Sequence, residues 1–382
     1  MAGVKLNPVF AASLADDVYL IKNKIGRIGF NNLYKDVFNF DESSMVKGKT
    51  GGIVVNKKHV MAFFAVGKGR YEGQAFVAIK GTKGLYDILS DLNAGVISSH
   101  TGFKVHQGFY YAFDSMLNEL RQFIIGLKGV SVVHCVGHSL GGAVATLAAD
   151  WIKVNGAVSS AKLYTFGSPR VGLEIFAKNC ASRLQKDSYR VYHRTDPVPM
   201  LPTWPFFHLP ENVGRAFHVD SPVAAAFWTY HLMEHYIASA KKAKSWGGFA
   251  NNRPVNHMDS AIEHWLKSDG LVTFAASTME ILNAAFIYVI KKVVNLSGIA
   301  IVVGAGTALT LLDRMAMYMA EAAKASKDLS IWVYHLVKKM AALIGIKVKE
   351  GVDLTASFIR QVFMSLYRKY SEMLWRVGQL VG

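Results

Sequence analysis

Ser131-Val-Val-His-Cys-Val-Gly-His-Ser-Leu-Gly-Gly142 decides how this chain is read. Val132, Val133, Cys135 and Val136 make a short apolar run suited to a strand buried on both faces. The run ends in Gly137-His-Ser139-Leu-Gly141, a G-x-S-x-G pattern, and Ala143-Val-Ala-Thr-Leu-Ala-Ala-Asp150 then reads as a helix. Strand, tight turn and helix in that order predict a nucleophile elbow. The chain reverses so sharply at the serine that bulky side chains two residues either side would clash, hence the glycines. Such a turn lifts the Ser139 hydroxyl above the strand ends and aims a helix N-terminus at the reacting group. G-x-S-x-G alone recurs by chance; its place between a good strand and a good helix is what makes it specific.

The flanking sequence supplies the rest of a sheet. Upstream, residues 9–22 read as a helix, with Phe10, Leu14, Val18 and Leu20 near helical spacing. Residues 52–55, 59–66 and 74–80 read as strands, 83–93 as a short helix, 94–107 as loop and 110–127 as one long helix. Downstream come a strand at 162–166, a helix at 173–185 and a strand at 189–193. This alternation predicts an α/β protein with a largely parallel sheet covered by helices on both faces. Functional groups then belong outside the carboxyl ends of the strands. Asp196 stands there, just after a strand and before Pro197, which cannot continue a ladder. An acid in that position would orient a histidine and stabilise the imidazolium.

Seven histidines follow it, of which His208, His218, His231, His235, His257 and His264 are the candidates. His208 follows Asp196 too closely to leave room for another strand, and His218 lies inside the strand-like Ala216-Phe-His-Val219. His231 and His257 each open an amphipathic stretch, Tyr230 to Ala238 and Asn256 to Trp265, and the residues alone leave both open.

The totals bound the remaining possibilities. At 382 residues with half of them hydrophobic, the chain has room for one large domain or two and a sizeable core. The formal net charge is +16. Nucleic acid is the first partner such a charge suggests, but no helix-turn-helix, zinc or RNP-type signature accompanies it, so no nucleic-acid partner is expected and an anionic membrane surface is favoured. Two cysteines, Cys135 and Cys180, give no disulfide framework. Leu6 to Ala15 is too short, and too interrupted by Asn7 and Pro8, for a secretory signal, so export without a cleaved signal or membrane association is the expectation. From about residue 270 the composition shifts. Val293 to Leu312 carries no charge and is long enough to span a bilayer, while Ile331 to Lys339 and Phe358 to Lys369 are basic and amphipathic. The expected division is a catalytic domain at 1–269 and a helical region at 270–382 that either interacts with membrane or forms a soluble bundle around a fully buried central helix.

Four segments together resemble the class 3 lipases, fungal-lipase-like members of the α/β-hydrolase fold. They are Ala78-Ile-Lys-Gly-Thr82 with Asp87 to Asn93; Val105-His-Gln-Gly-Phe109; Val136 to Gly142; and Thr165 to Gly172 leading to Arg190-Val-Tyr-His-Arg-Thr-Asp-Pro-Val-Pro199. The resemblance covers about residues 9–240. It implies Ser139 as nucleophile, Asp196 as acid, and His231, whose segment His231-Leu-Met-Glu-His-Tyr236 is similar to the family's histidine segment, as the base. It also implies the amides of Thr82 and Leu140 as oxyanion donors and residues 84–104 as a lid, with no cofactor or metal. The chain departs from the family by continuing far beyond its usual last helix. The combined expectation is a serine lipid esterase, first a phospholipase of A1 type. A triacylglycerol or monoacylglycerol lipase is the near alternative, and a membrane-permeabilising toxin acting through the C-terminal helices is the alternative of another class. A lipase with membrane-seeking helices and few cysteines fits a secreted antibacterial effector, which leaves room for an inhibitor of the immunity type as a partner. The sequence does not fix the oligomeric state.

Overall fold

The structure, a computed structural model, describes residues 4–40, 44–50, 57–81, 95–155, 158–202, 205–209, 215–221, 229–249, 258–270, 272–297 and 311–381. Its strands are β1 (Phe38–Asn39), β2 (Met45–Thr50), β3 (Lys57–Gly67), β4 (Gln74–Ile79), β5 (Val96–Ser98), β6 (Lys104–His106), β7 (Val132–His138), β8 (Ser160–Phe166), β9 (Gly172–Leu173), β10 (Ser188–His193), β11 (Phe206–Phe207) and β12 (Arg215–Val219). The helices are α1 (Pro8–Asp17), α2 (Lys24–Tyr34), α3 (Gln107–Asp114), α4 (Leu117–Gly126), α5 (Leu140–Asn155), α6 (Glu174–Leu184), α7 (Met233–Ala243), α8 (Asp259–Lys267), α9 (Ala276–Ser297), α10 (Leu311–Ala325), α11 (Lys327–Leu343) and α12 (Ala356–Val381).

The main sheet runs β1-β3-β4-β7-β8-β10-β12, with β2 also paired to β3. From β4 to β12 every neighbouring pair is parallel, and β3 joins β4 antiparallel. This is the α/β-hydrolase fold. Strand alternation assigns each face its own core. Ala75, Val77 and Ile79 of β4 and Val133 and Cys135 of β7 face a cluster shared with α3 to α6. Phe76, Ala78 and Val136 face the other way, into a cluster closed by α1, α2 and α7. Every residue of β4 and of β7 is buried, which is why neither strand shows a polar face in the sequence. Helices α9 to α12 join the first cluster through residues such as Met279, Leu282, Phe286, Val337 and Phe363.

Three sequence expectations change. The loop expected over 94–107 contains β5 and β6, which pair antiparallel in a second, four-stranded sheet β11-β9-β6-β5. Buried Val96 and Val105 anchor them, but strands this short leave little periodicity to read. The single helix expected over 110–127 is two. Ser115 Oγ donates to the carbonyl of Ala112 (2.8 Å) and accepts from the Lys49 amide of β2 (2.8 Å), which turns the chain between α3 and α4. The helix expected over 9–22 tightens after Asp17 into a 3₁₀ turn, Val18–Lys22. The strand expected at 52–55 and the helix at 83–93 lie outside the described residues. Of the uncharged run 293–312, residues 293–297 end α9 and 298–310 lie outside the described residues. Among the described residues no helix is long and apolar enough to cross a membrane.

Candidate active site

Ser139 sits between β7 and α5 with φ at +57°, a left-handed backbone that costs a non-glycine residue about 1–2 kcal/mol. Its amide donates to Phe166 O of the adjacent β8 at 3.0 Å, and its carbonyl accepts from the Gly142 amide at 2.9 Å. The flanking glycines are a matter of space. A Cβ on Gly137 would stand 2.2 Å from Gly141 O, and one on Gly141 would stand 2.1 Å from Ile79 O. Leu140, the first residue of α5, is fully buried.

Asp196 lies in the turn after β10, its amide donating to His193 O at 3.1 Å. Its Oδ1 accepts from the Val198 amide (2.9 Å) and its Oδ2 from the Tyr236 hydroxyl (2.6 Å). His231 ends a 3₁₀ turn, Thr229–His231, just before α7. Its Nδ1 stands 2.8 Å from Asp196 Oδ2 and its Nε2 stands 2.9 Å from Ser139 Oγ. Three residues far apart in sequence therefore form one hydrogen-bonded file, and all three are at most 1% exposed. With Nδ1–H donated to the carboxylate, Nε2 is left as the acceptor for the serine proton.

Three residues that sequence reasoning missed hold the file. His138 donates Nε2–H to His231 O (2.8 Å) and accepts at Nδ1 from the Tyr19 hydroxyl (2.8 Å). Burial, reinforced by the neighbouring His231, pushes His138 well below the usual histidine range, so it is a neutral ring with a fixed tautomer. Tyr19 also takes a backbone hydrogen bond from Gly81, tying the 3₁₀ turn at 18–22 to the end of β4, and burial keeps its phenol protonated. Tyr236, one turn into α7, anchors Asp196; burial and the carboxylate's charge raise its pKa well above the ordinary phenol value. Tyr236 lies in the histidine segment quoted above, which was its signal; nothing near Tyr19 pointed to it.

Thr82 and His257 lie outside the described residues, as do residues 84–94 of the lid candidate. The rest of that candidate includes β5 and β6, paired in the second sheet. His218 is in β12 and contacts Glu280 (3.5 Å), and His208 is bonded to Pro199 O (2.7 Å), so neither belongs to the file. Cys135 and Cys180 are buried free thiols. Among the described residues no group of His, Cys, Asp or Glu could hold a metal ion. Beside the Asp196 turn, a crevice of about 880 Å³ opens against α8 and α9, with Arg170, Arg190, Met200, Leu209, Ile262 and Met279 in its walls.

A family model described as Lipase (class 3) matches residues 76–206, which hold Ser139, Asp196 and the strands that carry them. Over these residues the chain is similar to the class 3 lipases. A secreted mono- and diacylglycerol lipase of Fusarium solani is 34% identical over 157 residues, covering 40% of this chain and 46% of that protein. The toxin TseL of Vibrio cholerae is 36% identical over 135 residues, covering 35% of this chain and 20% of the toxin. A phospholipase A1 of rice is 33% identical over 120 residues, covering 29% of this chain and 25% of that enzyme. The chain spans less than half the length of each of these relatives.

Proposed function

We propose that this protein is a serine-dependent lipid ester hydrolase with Ser139 as nucleophile, His231 as base and Asp196 as the acid that orients it. The file Ser139–His231–Asp196, at 2.9 and 2.8 Å, is the observation that carries the reading. His231 Nε2 takes the Ser139 proton as the hydroxyl attacks the ester carbonyl, then returns it to the leaving alcohol. Water hydrolyses the acyl-enzyme by the same route in reverse. The Leu140 amide at the start of α5, with that of Thr82, is assigned to the developing oxyanion; losing one such donor typically costs about 10²–10³ in rate. Ser139 is 1% exposed.

The substrate class is the acyl ester of membrane glycerophospholipids. The +16 charge favours an anionic surface, and a phospholipase A1 is among the relatives. A neutral acylglycerol is the second reading, favoured by the mono- and diacylglycerol lipase relative. The secreted lipase and the toxin among the relatives support export and an effector role, with an inhibitory protein as the partner such a toxin would need. On this reading residues 1–269 hold the chemistry and 270–382 form a helical region that buttresses the Asp196 turn.

Ser139→Ala should abolish ester hydrolysis while leaving the circular dichroism and the thermal transition in place. Lipid mass spectrometry on a mixture of phospholipids and acylglycerols then reads the substrate class. Near-normal turnover by Ser139→Ala would sink the assignment, and dye leakage from vesicles that persists in that variant would instead mark a pore-forming toxin.

A further inference from the structure

Helix α2 is apolar on both sides. On one side Phe30 and Tyr34 are buried, with Phe30 packed on Phe63 (ring centroids 4.8 Å) and Tyr34 stacked on Phe38 (5.2 Å). On the opposite side Ile25 is 83% exposed, Ile28 56% and Leu33 61%. At about 100° per residue these three fall within an arc of roughly 140°. Leu20, just before the helix, adds a fourth exposed apolar side chain. Single exposed leucines need no explanation, but a face of them does. Among the described residues of the C-terminal helices, the exposed large apolar residues Met317, Ile331 and Trp375 fall one to a helix.

The face is fixed in place. Asn23 caps the helix by accepting from the Gly26 amide (2.8 Å), and Arg27 Nε donates back to Ile21 O (2.9 Å). Gly26 lets the preceding turn approach so closely that a Cβ would lie 2.0 Å from Leu20 O. These contacts orient α2 so that the aliphatic side points outward. Lys22, Lys24 and Lys35 are exposed around it and Arg27 is half-buried, with Asp36 as the nearest exposed acid in the sequence. The helix also begins just after Tyr19, whose hydroxyl is bonded to His138 beside the nucleophile.

We propose that α2 is an interfacial helix that lays Ile25, Ile28 and Leu33 into the headgroup–acyl boundary of an anionic bilayer, with the lysines meeting its phosphates. A helix with one aliphatic face and a cationic rim suits that boundary, and a surface of lipid is the partner whose charge complements it. The inference rests on the lipid-ester reading for its purpose alone; the binding itself is read without turnover.

The test uses full-length protein carrying Ser139→Ala, co-sedimented with vesicles of phosphatidylcholine with and without phosphatidylglycerol. Adding Ile25→Glu and Ile28→Glu should weaken partition to the anionic vesicles about tenfold or more. Both positions are exposed, so the thermal transition should stay in place. Lys22→Gln with Lys24→Gln should weaken binding to the anionic vesicles and leave binding to the neutral ones unchanged. In the active protein, Ile25→Glu with Ile28→Glu should lower hydrolysis of vesicle lipid but not of a short water-soluble ester. Vesicle binding unchanged by the glutamates overturns the proposal, as does a wild-type dimer in sedimentation that the glutamates dissociate, which would make the face a contact between copies. Loss of soluble-ester hydrolysis in the Ser139-intact wild type is a separate result that strikes the catalytic reading and not the docking.

Discussion

The Tyr236 hydroxyl donates to Asp196 Oδ2 at 2.6 Å and accepts from the His193 amide at 3.3 Å, so one buried oxygen fixes both the acid and the strand end that carries it. Tyr236→Phe should leave Asp196 with one donor fewer and the amide unsatisfied, a loss of about 1–3 kcal/mol in stability. If the misplaced carboxylate costs about 1.4 kcal/mol in the transition state, the rate falls about tenfold. The expected signature is a lowered kcat at nearly constant KM, because Tyr236 touches no substrate. A raised KM at unchanged kcat would move Tyr236 from positioning the acid to lining the substrate path. At this scale the sequence was informative where chemistry has a fixed local pattern. Ser139 was legible from its glycines and Asp196 from the strand before it and the proline after it. His231 was legible only through the family likeness, because an imidazole opening a helix is otherwise an ordinary surface residue.

At the scale of elements, α9 is held to the catalytic side of the sheet by a small ionic cluster. Arg194, two residues before Asp196, donates to both oxygens of Glu280 from Nε (3.2 and 3.1 Å) and to Oε2 from Nη2 (2.8 Å). Arg170 Nη1 adds a bond to Asn283 Oδ1 at 3.1 Å. Both members of the Arg194–Glu280 pair are largely shielded, so removing one charge leaves the other poorly solvated. Glu280→Gln should therefore destabilise the protein by about 1–3 kcal/mol, read as an earlier thermal transition and as faster proteolysis near α9. An unchanged transition would mean that the pair is exchanged for water at no cost. The division of 110–127 into α3 and α4 shows why elements are harder to read than motifs. Its cause is one hydroxyl bonded back to its own helix and across to β2, a tertiary contact with no signature in periodicity.

For the whole molecule the telling feature is the number of histidines buried as neutral rings. Burial lowers His106 and His134 to about 3 and His193 to about 4, and pushes His138 and His208 well below the usual range. Their hydrogen bonds agree with neutrality: His106 Nδ1 accepts from the Gly108 amide, and His134 donates to Gln74 Oε1 at 2.7 Å. In the unfolded chain each takes up a proton below about pH 6.5, while in the fold it does not until far lower pH. The unfolded state then binds more protons, so stability is full above about pH 7 and falls as pH drops, by up to about 1.4 kcal/mol per pH unit for each ring. Thermal unfolding followed at pH 7 and at pH 5 should show a marked loss at the lower value; equal midpoints would mean that these rings are solvated in the fold.

The sequence by itself determined the parallel α/β sheet, the elbow at Ser139 and the place of Asp196 at a strand end, because each follows from short-range constraints: alternating burial, crowding at a bend, a proline ending a ladder. Only the tertiary structure decided the rest. It brought His231 to the file, set His138, Tyr19 and Tyr236 behind it, and joined buried side chains of α9 to α12 to the first core cluster. An apolar helix side reads the same in sequence whether lipid or protein will cover it, and only the packing of its neighbours tells the two apart. Among the described residues, a face left uncovered in this way belongs to α2.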